Sequence, residues 1–159
     1  MNECGSDRRK LDRLVRADAQ EERGRRQRAA RRYDAAVNCF SAAIRLDPTN
    51  AGYYVGRALS HAKREDHELV IEDFTTAIGL DPGHAAAYNG RGLVYTMTGD
   101  YESAIRDHDQ VVRLDPNYER ARLGMAVASL LGDVRDLTPE DLMRARRDNP
   151  DQSGSPDLV

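Results

Sequence analysis

The sequence predicts an all-α protein, a solenoid of antiparallel helix pairs. Three observations carry that expectation. The triplet Leu-Asp-Pro stands at Leu46-Asp47-Pro48, Leu80-Asp81-Pro82 and Leu114-Asp115-Pro116, 34 residues apart each time, with a fourth beat on Pro150. Apolar residues between the beats recur in the same phase. Each interval also holds a turn signal near its middle, so each divides into two helices. With the proline as position 32, the units are 17–50, 51–84, 85–118 and a degenerate 119–150.

On the second helix of each unit, positions 20, 24 and 27 read Ala36, Phe40, Ala43, then Val70, Phe74, Ala77, then Ala104, His108, Val111. Steps of four and three residues put them on one helical face. On the first helix, positions 4, 8 and 11 read Tyr54, Ala58, His61 and Tyr88, Gly92, Tyr95. A small residue at 8 opposite a small residue at 20 lets the paired helices approach closely. Proline at 32 stops the second helix and drives the preceding Asp out of helical geometry. The turns inside units are expected at Arg31-Arg32, Arg64-Glu65-Asp66, Thr98-Gly99-Asp100 and Gly132-Asp133.

Residues 1–5 are expected to be disordered, and Ser6 is a candidate helix cap ahead of Asp7. Leu11, Leu14 and Val15 then form a thin apolar stripe. Residues 1–16 thus read as a tail and a short helix, either separate or the early part of a longer first helix. In the fourth unit the second helix should start late, with Thr138 as cap, Pro139 at the first helical position and Glu140 and Asp141 following. The tail 151–159 is expected to be disordered.

These residues resemble the tetratricopeptide repeat. The third unit is most similar, through Tyr88, Gly92, Tyr95, Ala104 and Pro116. The second matches at Tyr54, Phe74, Ala77 and Pro82; the first keeps Gly24, Ala36, Phe40, Ala43 and Pro48 but has Gln20 and Gln27 at large apolar positions. The fourth keeps Ala126, Ala145 and Pro150. The resemblance implies a right-handed α-solenoid of three tetratricopeptide-like units and a degenerate capping unit.

It also implies that first helices line a concave wall through positions 2, 5, 9, 12 and 13. The expected partner-binding groove is then Val55, Leu59, Lys63, Asn89, Leu93, Met97, Arg120, Leu123 and Val127, on a wall that runs from charged in the first unit (Asp18, Glu21, Arg25, Arg28) to apolar in the fourth (Leu123, Val127, Leu130, Leu131). Such a strip suits a peptide or helix of a partner protein. Alternatively Leu137, Leu142 and Met143 of the last helix cover its C-terminal part. Some relatives clamp the C-terminal carboxylate of heat-shock chaperones with Lys and Asn. The matching positions here are Glu21, Arg25, Gly56, Ala86 and Gly90, or Val55, Leu59, Gly90, Arg120 and Gly124, and neither set makes that clamp.

Gly56, Gly90 and Gly124 share position 6. Glycine inside a helix costs about 1 kcal/mol relative to alanine, so three in phase need a reason. They are a trough for a ligand backbone, the site of tight packing between neighbouring first helices, or a relic of simple duplication.

Composition narrows the remaining classes. The formal net charge of -3 argues against wholesale nucleic-acid binding, although residues 1–32 balance to +5 and the rest to -8. The run Arg23, Arg25, Arg26, Arg28, Arg31, Arg32 keeps a nucleic-acid-associated regulator as the alternative function, but no aromatic interleaves it. The favoured reading of the run is a solvated helix face, free to pair with the acidic second helices of this chain or of another. Two cysteines, Cys4 and Cys39, make neither a disulfide framework nor a metal set. With no signal peptide and no apolar run near the ~20 residues that span a bilayer, the expected compartment is the cytoplasm. His61 and His108 stand in aromatic core slots rather than in a ligand set. No nucleophile, acid–base pair or phosphate loop is present, so neither an enzyme nor a cofactor is expected. Self-association through an exposed end of the stack remains open.

Overall fold

The computed structural model describes residues 3–136 together with Thr138, Glu140, Asp141 and Arg144. Seven α-helices form among the described residues: α1 (Glu3–Ala29), α2 (Tyr33–Leu46), α3 (Ala51–His61), α4 (His67–Leu80), α5 (Ala85–Thr98), α6 (Tyr101–Leu114) and α7 (Glu119–Asp136). They stack as antiparallel pairs in a right-handed solenoid. The expectations for Leu137, Pro139, Leu142, Met143, Ala145, Pro150 and the tail 151–159 lie outside the described residues.

Each Leu-Asp-Pro triplet is a built corner. Asp47, Asp81 and Asp115 leave the helix in extended geometry, with φ of -141°, -136° and -141°, as a following proline requires. Each Asp also accepts the backbone N–H two residues on, of Thr49, Gly83 and Asn117, at 3.0 Å. The side chain thus mimics a backbone turn and aims the chain at the next unit. Asn50 then caps α3 by accepting from the Gly52 N–H at 2.9 Å.

The turns inside units are equally periodic. Arg31, Glu65 and Gly99, all at position 15, take left-handed φ of 58°, 62° and 83°. At Arg31 the Arg31 N–H reaches the Arg28 carbonyl and the Arg32 N–H the Gln27 carbonyl, both at 2.9 Å. Those paired bonds close the helix as a glycine would, at some conformational cost in an arginine. A 3₁₀ turn, Ala62–Arg64, precedes Glu65.

Positions 20, 24 and 27 of the three full second helices are all buried. So is a face of the first helices outside the 4, 8, 11 set. Positions 3 and 10 read Tyr53 and Ser60, Ala87 and Val94, Ala121 and Ala128, all buried. They share a face with the position-6 glycines and meet the preceding unit. In α1 the same positions are Ala19, Glu22 and Arg26, all exposed, with a 2.8 Å ion pair between the last two. That polar outer face of α1 contrasts with the buried faces at the same positions of α3, α5 and α7.

Three expectations are corrected. Of the two readings of the early helix, the longer first helix is the one observed; what is corrected is its start, since α1 runs unbroken from Glu3, so Glu3, Cys4 and Gly5 are helical and Ser6 lies inside the helix rather than capping it. No proline interrupts this stretch, and helix continuation satisfies the backbone better than a break. In the fourth unit, Gly132-Asp133 is not a turn, because α7 continues to Asp136. Its end is held by Arg135, which donates to the Gly99 carbonyl at 3.2 Å and lies over the Tyr101 ring. The third correction concerns the glycines and is given with the site. Thr138 does act as a cap: its Oγ1 accepts the Asp141 N–H at 3.2 Å while Asp141 accepts from the Thr138 N–H at 2.9 Å.

Candidate functional site

Phe40, Phe74 and His108, at position 24 of successive second helices, are buried rings. A Cβ added at Gly56 would lie 2.3 Å from Phe40, one at Gly90 2.4 Å from Phe74, and one at Gly124 2.5 Å from His108. The glycines therefore receive the ring of the preceding unit's second helix. They are not a trough, and the close packing is not between neighbouring first helices. Sequence spacing showed the recurrence but not which helix would face it. His108 fills the aromatic slot with neither ring nitrogen bonded. Burial pushes its pKa below the ordinary histidine value, against the opposing pull of Asp107. His61 has its Nδ1 3.6 Å from an Asp66 oxygen.

A second recurrence was missed in the sequence. Arg57 donates to Asp73 at 2.7 and 2.9 Å and to Ser41 at 3.2 Å. Arg91 donates to Asp107 through two bonds of 2.8 Å and to Thr75 at 2.9 Å. Each arginine thus ties three consecutive helices, α2–α3–α4 or α4–α5–α6. Tyr54 lies beside Arg57, and Tyr88 and Tyr95 flank Arg91, each with its centroid 5.8 Å away. Hydrogen bonds to the paired Asp hold both guanidinium pKa values above the ordinary arginine value, while burial lowers them. The fixed offset of 16 residues from Arg to Asp, repeated after 34, was the available signal. The first unit has Arg23 but Cys39 in place of the Asp. There Tyr53 ties α3 to α1 instead, its hydroxyl donating to Asp18 at 2.7 Å. Burial, then this bond, pushes the Tyr53 pKa up.

The groove residues fall into two groups. Asn89, Leu93, Arg120, Leu123 and Val127 come together, with Thr96 and Gly124, around a cavity of about 390 Å³ between α5 and α7. Its lining is mainly apolar; Leu93 is 48% and Leu123 66% exposed. Val55, Leu59, Lys63 and Met97 do not line it. Val55 packs against the core, Leu59 is moderately exposed, and Met97 is 69% exposed. Lys63 sits in the 3₁₀ turn because α3 ends at His61. Asn89 is only 8% exposed, and its Oδ1 has no hydrogen-bond partner.

The arginine run presents the solvated face expected at Arg25 and Arg26, both exposed. Arg25 bonds Glu21 at 2.6 Å and Arg26 bonds Glu22 at 2.8 Å, both one turn back on α1 rather than on a second helix. Among the described residues no group of three His, Cys, Asp or Glu side chains could hold a metal ion. No described helix is long and apolar enough to cross a membrane.

A right-handed stack of helix pairs, with corners and core repeating every 34 residues, defines a helical-repeat protein. Its family is the tetratricopeptide repeat family, to which the chain belongs: models of the tetratricopeptide repeat match residues 14–69 and 85–118. Among solved structures, it is similar to the Arabidopsis OM64 TPR domain, at 24% identity and TM-score 0.72 over 74% of this chain and 97% of that one. The second TPR domain of human RPAP3, in complex with the HSP70 peptide SGPTIEEVD, matches at 25% identity and TM-score 0.69 over 76% and 98%. The MamA protein matches at 20% identity and TM-score 0.71 over 90% and 78%.

Proposed function

We propose that this protein is a non-catalytic interaction adaptor or scaffold that holds a peptide or helix of a partner protein on its concave wall. The observation that carries the reading is the apolar cavity between α5 and α7, which gathers five of the nine groove residues. Pockets that take an anchor side chain supply much of the affinity in peptide recognition. The peptide bound by the RPAP3 domain supports the same use of the fold. The domain proposed for this role is 17–150, with 1–16 as an N-terminal extension. A cytoplasmic setting goes with it, and Cys39 is a buried free thiol.

The test is affinity capture from a lysate of the source cells, comparing the wild type with Leu93→Asp/Val127→Asp. The expected outcome is loss of the specific partners while helical circular dichroism is retained. Undiminished capture by the folded double variant would overturn the groove reading.

A further inference from the structure

The first unit keeps the bridging arginine without the groups that surround it in the next two. Arg23 is the counterpart of Arg57 and Arg91. Where those meet Asp73 and Asp107, Arg23 has Cys39. Where Tyr54 and Tyr88 lie beside them, it has Gln20. Arg57 and Arg91 also bond Ser41 and Thr75, hydroxyls on the second helix of the preceding unit. Arg23 is exposed and has neither a hydrogen bond nor an ion pair among the described residues.

A cavity of about 260 Å³ stands in that place between α1 and α2, lined by Arg23, Gln20, Gln27, Asn38, Ala35 and Cys39. A second, of about 330 Å³, shares Gln20 and lies further along the same two helices, with the exposed Arg16 and Arg45 on its rim. Those two arginines are also without a bonded partner among the described residues. No described carboxylate lines either cavity. On the α2 side Ala35, Cys39, Ala42 and Leu46 make an apolar stripe between the arginines.

We infer that this groove docks an acidic amphipathic helix of a partner protein, a carboxylate of which gives Arg23 the ion pair that Asp73 and Asp107 give Arg57 and Arg91. The occupant is a helix because, in the next two units, the element that reaches the arginine from outside its own helix pair is a helix, α2 or α4. It is acidic because the groove carries three bare guanidiniums and no described acid. Arg16 and Arg23 stand two turns apart on α1, about 10.5 Å, so carboxylates seven residues apart on one face of the partner helix reach both. Aliphatic side chains between them meet the apolar stripe. A second copy docking through the same face would set these arginines against their own equivalents, so the partner is a different chain. Nucleic acid would also meet the arginines, but no aromatic ring lines either cavity to stack a base.

The probe is a fluorescein-labelled, stapled helical peptide of about eighteen residues, five turns long. It carries two Glu seven apart, with Leu and Ala on the same face, and the staple removes the cost of ordering a short helix. Titration against the full-length chain at low salt, read by anisotropy, should show binding that weakens about tenfold in Arg23→Gln. Moving one Glu to the opposite face, or replacing both by Lys, should weaken it at least as much. Cys39→Asp restores the carboxylate of the other units. It should pair with Arg23 inside the chain and weaken peptide binding about as much as Arg23→Gln, with the thermal midpoint kept. Arg23→Gln/Cys39→Asp leaves that carboxylate unpaired and should lower the midpoint. Should Cys39→Asp misfold, the exposed Arg23→Gln decides alone.

No binding of the Glu peptide, equal binding of the Glu and Lys peptides, or undiminished binding by folded Cys39→Asp or Arg23→Gln would overturn the inference. So would an oligonucleotide of the same length that binds more tightly than the peptide and is lost in Arg23→Gln, since the groove would then belong to nucleic acid. The cavity between α5 and α7 shares no residue with this groove, so its reading stands or falls separately.

Discussion

Replacing Gly90 by alanine should destabilise the protein, although the same change in an ordinary helix stabilises it. Gly90 lies inside α5, where alanine would gain about 1 kcal/mol from helix propensity. The added Cβ, however, would stand 2.4 Å from Cζ of Phe74 and 2.8 and 2.9 Å from its two Cε atoms. Carbon atoms in good contact are about 3.5–4.0 Å apart, so α5 and the ring must separate by about 1 Å. Phe74 is 1% exposed and belongs to the cluster with Ala58, Val70 and Ala77, so the ring has no room to withdraw. Overpacking of this kind costs about 1–3 kcal/mol, and so severe an overlap belongs at the upper end. The net loss is then about 2 kcal/mol. Gly79, on α4, is the control, since its added Cβ would meet nothing within 4 Å. Gly79→Ala should gain about 1 kcal/mol. Urea unfolding followed by far-ultraviolet circular dichroism measures both, and the pair should differ by about 3 kcal/mol. Gly90→Ala/Phe74→Leu should recover part of the loss. If Gly90→Ala proves as stable as Gly79→Ala, the glycine-to-ring packing of successive units is refuted.

Three other outcomes are expected. His108 is held neutral by burial, its pKa lowered in the fold. The unfolded chain therefore binds the proton more readily, and this residue's contribution to stability falls as pH drops below about 6.5, by at most about 1.4 kcal/mol per pH unit. His108→Phe should remove that component, which unfolding curves at pH 7.5 and 5 would reveal; an unchanged difference between the two pH values would refute it. Asp107→Asn leaves the Arg91 guanidinium half of a largely buried pair and should cost about 3 kcal/mol. Arg91→Met/Asp107→Leu should cost less than the sum of the single changes, and strict additivity in that double-mutant cycle would count against the coupling. Ala104→Leu should overpack the contact with α5 and cost about 1–3 kcal/mol, read as a lowered thermal midpoint; a neutral result would mean that position 104 has room to spare.

Much of this architecture is legible in the sequence because its rules are local. Leu-Asp-Pro ends a helix wherever it stands: proline cannot continue the helix, and the Asp side chain can hold the turn. Positions 20, 24 and 27 share a face by helical geometry, and all nine residues there are buried. Among the described residues the two non-glycine left-handed positions, Arg31 and Glu65, carry no such sequence signal and are recognisable only by their register with Gly99. The nine groove positions follow from the family resemblance, which puts them on first helices, but α3 ends before Lys63.

By itself the sequence determined the period, the helix pairs, their corners and the buried face of the second helices. The tertiary structure decided which helix each face meets. It put Phe40, Phe74 and His108 against the next unit's glycine, and Arg57 and Arg91 across three helices. It also carried α7 through Gly132-Asp133 and drew Asn89, Arg120, Leu123 and Val127 around one cavity. The reason is geometric. A 34-residue period says that two residues occupy equivalent sites, while the rotation of each unit on the last determines which inequivalent sites touch.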